Sequence, residues 1–136
     1  MGRNYMKAIT QDWLNYAEID LKTCEKLIND EFLTNSVAFH VQQPIEKCFK
    51  AIFEENNLKV PRIHNLMRLY DKTTQFIDFT VDENMLEKTD EIYTETRYPG
   101  DIGMLPEGKP SIEEVKKLYD FANEIFQKTV TQLSVL

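Results

Sequence analysis

The chain has 136 residues, a length that suits one domain covering residues 1–136. Hydrophobic residues make up 42% and charged residues 29%, as in soluble globular proteins, and 4 Gly and 5 Pro exclude collagen-like and low-complexity chains. The formal net charge is −7, and the whole acidic excess lies in residues 69–136, which disfavours a general nucleic-acid-binding surface.

The sequence carries no sign of a membrane segment, an export signal or a metal site. No apolar stretch approaches the ~20 residues of a membrane-spanning helix, and the first residues lack an apolar signal core, which predicts a cytoplasmic protein. Cys24 and Cys48 lie on apolar helical stripes and are expected in the core. Because CxxC, Glu-x-x-His and P-loop motifs are missing, we predict no metal ion and no cofactor.

Two long segments have apolar residues at every third or fourth position, which predicts amphipathic helices over residues 5–29 and 34–56. Pro44 lies inside the second segment and removes the hydrogen bond to the carbonyl of His40, so we expect a kink there. The apolar pattern stays in phase after Pro44, which indicates that the helix continues beyond it.

The next part of the chain predicts two further helices, over residues 64–74 and 82–94. Between them, residues 76–81 have the composition of a strand but no second strand with which to pair. We therefore interpret residues 76–81 as a packed connector.

Residues 98–110 form a predicted loop, since they contain three of the five prolines and three of the four glycines. Ser111 and Glu114 have the spacing of a capping box and predict the start of a fifth helix over residues 112–133. Four to five helices with short connections predict an all-α fold, an up-and-down antiparallel bundle.

The second predicted helix carries a cluster of polar residues. The cluster comprises His40, Gln42, Gln43, Glu46, Lys47 and Lys50. Of these, His40, Gln43 and Lys47 share one side of a helix because they are spaced at i, i+3 and i+7. These three residues are therefore candidates for one binding site. The alternative is that His40 is a partly buried histidine bonded to a neighbouring helix.

Arg62 and His64 stand at the start of the third predicted helix. Helix N-termini attract anions through free N–H groups and the helix dipole, and an arginine adds a forked contact to phosphate. Arg62 and His64 are therefore candidate phosphate-binding residues. The alternative is a capping arrangement with surface arginines.

Arg97 and Tyr98 precede a Pro-Gly turn and form a third candidate. An arginine beside an aromatic ring stacks on a base or binds phosphate. The alternative for Arg97 is an ion pair with the acidic residues nearby.

Three parts of the sequence together resemble the HEPN domain (higher eukaryotes and prokaryotes nucleotide-binding), over nearly the whole chain. They are Trp13, Ala17, Asp20 and Leu21 in the first helix, residues 38–51 (AFHVQQPIEKCFKA) in the second, and residues 62–66 (RIHNL). The turn at residues 97–99 (RYP) resembles members of the family as well. Pro44 departs from the pattern, since a small helix former is expected at this position.

The resemblance implies an all-α bundle, usually dimeric and encoded in bacteria and archaea. It implies a minimal nucleotidyltransferase as partner, in pairs that include toxin–antitoxin systems. Many relatives are metal-independent ribonucleases that carry an Arg separated from a following His by four to six residues. That motif is missing here, because the window after Arg62 holds Met67, Arg68 and Leu69.

The resemblance without this motif favours a protein that is not an enzyme and that binds a nucleotide or a nucleic-acid end. Under this hypothesis the arginines and Lys47 hold phosphate, and a base is bound by His40, Gln43 and Tyr98. One alternative is a ribonuclease toxin with a displaced active site, built from Arg97 and a histidine. Another is a purely structural interaction partner. The apolar residues of the 76–81 connector leave surface that suits a homodimer.

Overall fold

The computed structural model describes residues 6–96 and 109–134, and within them it contains helices and no strand. The helices are α1 (Ala8–Leu27), α2 (Thr34–Glu55), α3 (Leu66–Thr73), α4 (Glu83–Thr96) and α5 (Ile112–Ser134), with 3₁₀ turns at Glu31–Leu33 and Thr74–Phe76. The all-α prediction is confirmed, and each predicted helix is present with its ends shifted by three residues or fewer.

Consecutive long helices run in opposite directions. The backbone N–H of Lys7, just before α1, donates to Glu55 at the end of α2 (3.1 Å), so α1 and α2 are antiparallel. Phe39 near the start of α2 stacks on Tyr93 near the end of α4, with ring centroids 5.2 Å apart, so these two helices are antiparallel as well. The up-and-down arrangement follows from these pairings.

The central helix is α2, which packs against α1, α3, α4 and α5. Its apolar stripe is fully buried and forms the middle of the core, namely Val37, Val41, Ile45, Cys48, Phe49 and Ile52. Tyr119 near the start of α5 donates to Glu25 near the end of α1, which places α5 antiparallel to α1. Since α2 also opposes α1, it runs in the same direction as α5.

The connector at residues 76–81 is packed against the core, as predicted, and it is not a strand: it leaves the 3₁₀ turn at Phe76 and bends at residues 78 and 79. Gln132 of α5 accepts from the N–H of Asp78 (2.8 Å) and donates to the carbonyl of Phe76 (2.7 Å). The N–H of Val81 donates to the hydroxyl of Tyr70 at 3.1 Å. Side chains thus satisfy backbone groups that a neighbouring strand would satisfy in a sheet, so the connector can pack here without one.

Two local predictions concern helix boundaries and Pro44. Ser111 and Glu114 form the capping box, since the N–H of each is bonded to the side chain of the other at 3.2 and 3.1 Å. The helix α2 continues through Pro44, in agreement with the phase of the apolar pattern, and the kink stays a prediction. Over residues 6–96 and 109–134, no helix combines the length and the apolarity that a bilayer crossing requires.

Candidate functional site

One side of α2 remains open to solvent, and it carries three of the predicted residues. Between residues 37 and 53, only Phe39, His40, Gln43 and Lys47 are partly exposed, and all others are buried. The spacing argument placed His40, Gln43 and Lys47 on one side of the helix, and the structure confirms this. We refer to these three residues as the open face of α2.

On the α1 side, the open face is bounded by a carboxylate. Asp20 is 9% exposed and forms an ion pair with the ammonium of Lys47. The other oxygen of Asp20 lies 3.7 Å from Nδ1 of His40, which is too long for a hydrogen bond. This buried nitrogen has no hydrogen-bond partner among the described residues. The alternative role of His40, a hydrogen bond to a neighbouring helix, is therefore not formed: the ring lies close to Asp20 of α1 but beyond hydrogen-bond distance.

On the opposite side, Glu46 forms the centre of a buried polar network. Its carboxylate accepts from Lys50 Nζ at 2.9 Å and from Gln42 Nε2 at 3.1 Å. Nδ1 of His64 lies 3.1 Å from both carboxylate oxygens. The side chains of Glu46 and Lys50 are each 8% exposed, so two opposite charges neutralise each other within the protein.

Gln42 connects this network to the segment before α3 and to the open face, by one hydrogen bond each. Gln42 Nε2 also donates to the backbone carbonyl of His64 at 2.9 Å, which fixes the segment before α3 against α2. Gln43 Nε2 donates to Gln42 Oε1 at 2.6 Å. The open face and His64 therefore belong to one connected polar region, although they are far apart in sequence.

The N-terminus of α3 is occupied by side chains of the protein itself. The carboxylate of Asp90 in α4 accepts from the N–H groups of Leu66 (2.9 and 3.0 Å) and Met67 (3.3 Å), and Asn65 accepts from the N–H of Arg68 (2.9 Å). The capping alternative is thus present at this helix start. The free N–H groups that motivated a phosphate site here are not free, so any anion must be bound by side chains instead.

Burial raises the pKa of Asp90 above its ordinary value. The hydrogen bonds from Leu66 and Met67 oppose this shift because they favour the charged form, whereas the negative charge of Glu46 adds to it. Two carboxylates and the exposed His64 therefore surround the start of α3.

His64 and Arg62 are the predicted residues most accessible to a ligand. The side chain of His64 is 65% exposed, and its Nε2 makes no hydrogen bond to any described residue. Arg62 is exposed and has neither an ion pair nor a hydrogen bond within residues 6–96 and 109–134. Arg97 and Tyr98 lie outside the described residues, so their assignment stays a prediction.

The sequence interpretation gave no site role to three carboxylates that shape this region, namely Asp20, Glu46 and Asp90, although Glu46 belongs to the polar cluster and Asp20 to the residues that carry the family resemblance. For Glu46 a signal was present, because Gln42, Glu46 and Lys50 repeat at intervals of four within an otherwise apolar helix. For Asp20 and Asp90 no local signal exists, since each bonds to an element 23 or more residues away along the chain.

Two cavities lie on another part of the bundle. Cavities of about 300 and 280 Å³ separate the segment at residues 78–82 from α5, and no predicted site residue lines either of them. In the described part of the chain, no group of three or more His, Cys, Asp or Glu residues has a geometry that holds a metal ion. The candidate site is therefore the open face of α2 together with Arg62 and His64.

The comparisons with known proteins agree with this architecture. A family model described as the HEPN domain matches residues 10–133. Searches of curated proteins and of solved structures found no match. The matched segment spans α1 to α5 and includes every predicted site residue. The chain belongs to the HEPN domain family.

Proposed function

We propose that this HEPN protein binds a nucleotide or the phosphate-bearing end of an RNA on the open face of α2 and at Arg62 and His64, without catalysing a reaction. Membership in the HEPN family supports a function with nucleotides or RNA. The observation that carries the proposal is the state of His64. Glu46 holds its Nδ1 edge, while the side chain is 65% exposed and lies two positions after Arg62, which pairs with no described residue.

Each residue has a role that follows from its contacts. Arg62 supplies a free guanidinium for a phosphate, and His64 supplies a donor from a ring whose orientation is fixed. Lys47 uses one of its three N–H donors on Asp20 and retains others for a phosphate oxygen. His40 and Gln43 bond to the base. Arg97 and Tyr98 join the site on the evidence of the sequence alone.

The proposal extends to partners on the strength of the family resemblance. The protein acts in a prokaryotic cell as a homodimer and pairs with a minimal nucleotidyltransferase, in the manner of a toxin–antitoxin pair. Sedimentation of the isolated protein tests the dimer, and a mass of 16.0 kDa, that of one chain, argues against it. Purification with a co-expressed nucleotidyltransferase encoded beside it tests the partner.

Calorimetric titration with ATP, GTP and a short 5′-phosphorylated RNA tests the binding function. We expect heat of binding with at least one ligand and a weaker affinity in Arg62→Ala and His64→Ala. The matched control is Lys117→Ala, which removes an exposed cation from α5. Absence of binding by the folded protein contradicts the proposal, and so does an equal loss of affinity in the control.

A second candidate function, a metal-independent ribonuclease, is favoured by the Glu46–His64 contact. A buried carboxylate that orients an imidazole is the arrangement a general base requires, and Nε2 of His64 is open to accept a proton from a ribose 2′-hydroxyl. Incubation with total RNA or tRNA distinguishes the two functions. Cleavage that disappears in His64→Ala supports the ribonuclease, whereas intact RNA supports binding alone.

A further inference from the structure

An aromatic ring is exposed beside the polar region, on the outer side of α1. Tyr16 is 60% exposed, and its hydroxyl has no hydrogen bond to any described residue. Ile19, also on α1, is 57% exposed. Covering a large apolar side chain lowers the free energy because its surface is removed from water. Two such residues together therefore mark a surface suited to binding a ligand or partner.

The position of Tyr16 places it at the edge of the open face of α2. It precedes Asp20 by four residues, and side chains at this spacing are neighbours on a helix. Asp20 in turn pairs with Lys47 and lies 3.7 Å from His40. The surface therefore continues from an exposed ring, through a carboxylate, to an ammonium and an imidazole.

The order of these groups along the surface matches the chemistry of a nucleobase and its phosphate. Bases of single-stranded nucleic acids stack on exposed aromatic rings, while cations nearby hold the backbone. The oxygen of Asp20 that faces His40 accepts no hydrogen bond from the described residues. Because 12% of the Asp20 side chain is exposed, a narrow approach is open to an exocyclic amino group of the base.

We propose that Tyr16 is the stacking platform for the nucleobase of the ligand bound at the open face of α2. This inference rests on the proposed function and adds a residue and a ligand chemistry to it. The ring supplies affinity for any base, since every base has a face that stacks. Asp20 then favours bases that carry an amino group.

Binding of a short 5′-phosphorylated oligoadenylate tests the inference in two variants of one residue. Tyr16→Phe retains the ring and should bind like the wild type, whereas Tyr16→Ala should bind about 5- to 100-fold more weakly, the range expected for loss of one stacked base. An abasic oligonucleotide of the same length should bind equally weakly to the wild type and to Tyr16→Ala. Phe32→Ala, at an aromatic residue that is 82% exposed outside the open face, is the control and should change nothing.

The outcomes separate this inference from the function on which it rests. If the wild type binds oligoadenylate and Tyr16→Ala binds it equally well, the stacking role is wrong and the proposed function stands. If the wild type binds neither the oligoadenylate nor the abasic oligonucleotide, the stacking role and the proposed function are both wrong. If Tyr16→Ala changes the sedimentation mass and leaves the affinity per chain unaltered, a second copy covers this ring and the inference is overturned.

Discussion

Removal of the Glu46 carboxylate should destabilise the protein strongly, because it leaves the Lys50 ammonium buried without a counter-charge. Both side chains are 8% exposed, and their N–O distance is 2.9 Å. Breaking a buried ion pair from one side costs about 3–5 kcal/mol, so we expect the free energy of unfolding of Glu46→Ala to fall by that amount. For a chain of this length, the melting temperature should fall by roughly 10–20 °C.

The control for this prediction removes both charges. In the double variant Glu46→Leu with Lys50→Met, no buried charge is left unpaired, so most of the lost stability should return. Urea unfolding, followed by circular dichroism, measures the free energy of unfolding of the wild type and both variants. A loss below about 1 kcal/mol in Glu46→Ala, typical of an exposed pair, refutes the reasoning. A double variant as unstable as the single one refutes it equally.

Three further predictions concern titration, reactivity and packing. Burial raises the pKa of Asp90 in the folded state, so the folded protein binds this proton more tightly than the unfolded chain. The stability that Asp90 contributes is therefore present at pH values below its pKa in the unfolded chain. It is lost as the pH rises through its higher pKa in the folded protein. Over that pH range the free energy of unfolding of the wild type should fall relative to that of Asp90→Asn. Urea unfolding at several pH values measures this difference, and a rise with pH contradicts the prediction. Burial also raises the pKa of Cys24 and of Cys48 to about 12. A thiol reagent at pH 8 should therefore modify both cysteines only after the protein unfolds, and rapid labelling of the native protein contradicts their place in the core. His40→Ala should lower the free energy of unfolding by ~1 kcal/mol and the melting temperature by a few degrees. The reason is that His40 makes an edge contact with Phe39 but no Nδ1 hydrogen bond to a described residue. A much larger loss in calorimetric scans contradicts this prediction.

The helices could be predicted from the sequence because periodicity and capping are local properties. The capping box at Ser111 and Glu114 lies within one turn, and both hydrogen bonds are formed. The continuation of α2 through Pro44 followed from the phase of its apolar residues, which a helix end would have interrupted. Each of these features is decided by residues that are close together in the chain.

The candidate site could be predicted only in part, since it depends on the register between helices. The side of α2 that carries His40 was readable from its spacing, but the ion pair of Lys47 with Asp20 spans 27 residues. The occupation of the α3 N-terminus by Asp90 depends on where α4 packs, which no pattern near residue 64 indicates. From the sequence, a helix start is expected to have free N–H groups. Only the packed structure shows whether a distant carboxylate, here that of Asp90, already accepts from them.

The most direct test of the proposed binding face is a proton NMR titration of the two histidines. The chain contains only His40 and His64, and the proposal assigns both to the ligand site. The ring Cε1–H signals can be assigned from His40→Ala and His64→Ala. On titration with a 5′-phosphorylated oligoadenylate, both signals should shift and saturate together with the calorimetric binding curve. If binding saturates and neither signal moves, the ligand lies elsewhere and the proposed face is wrong.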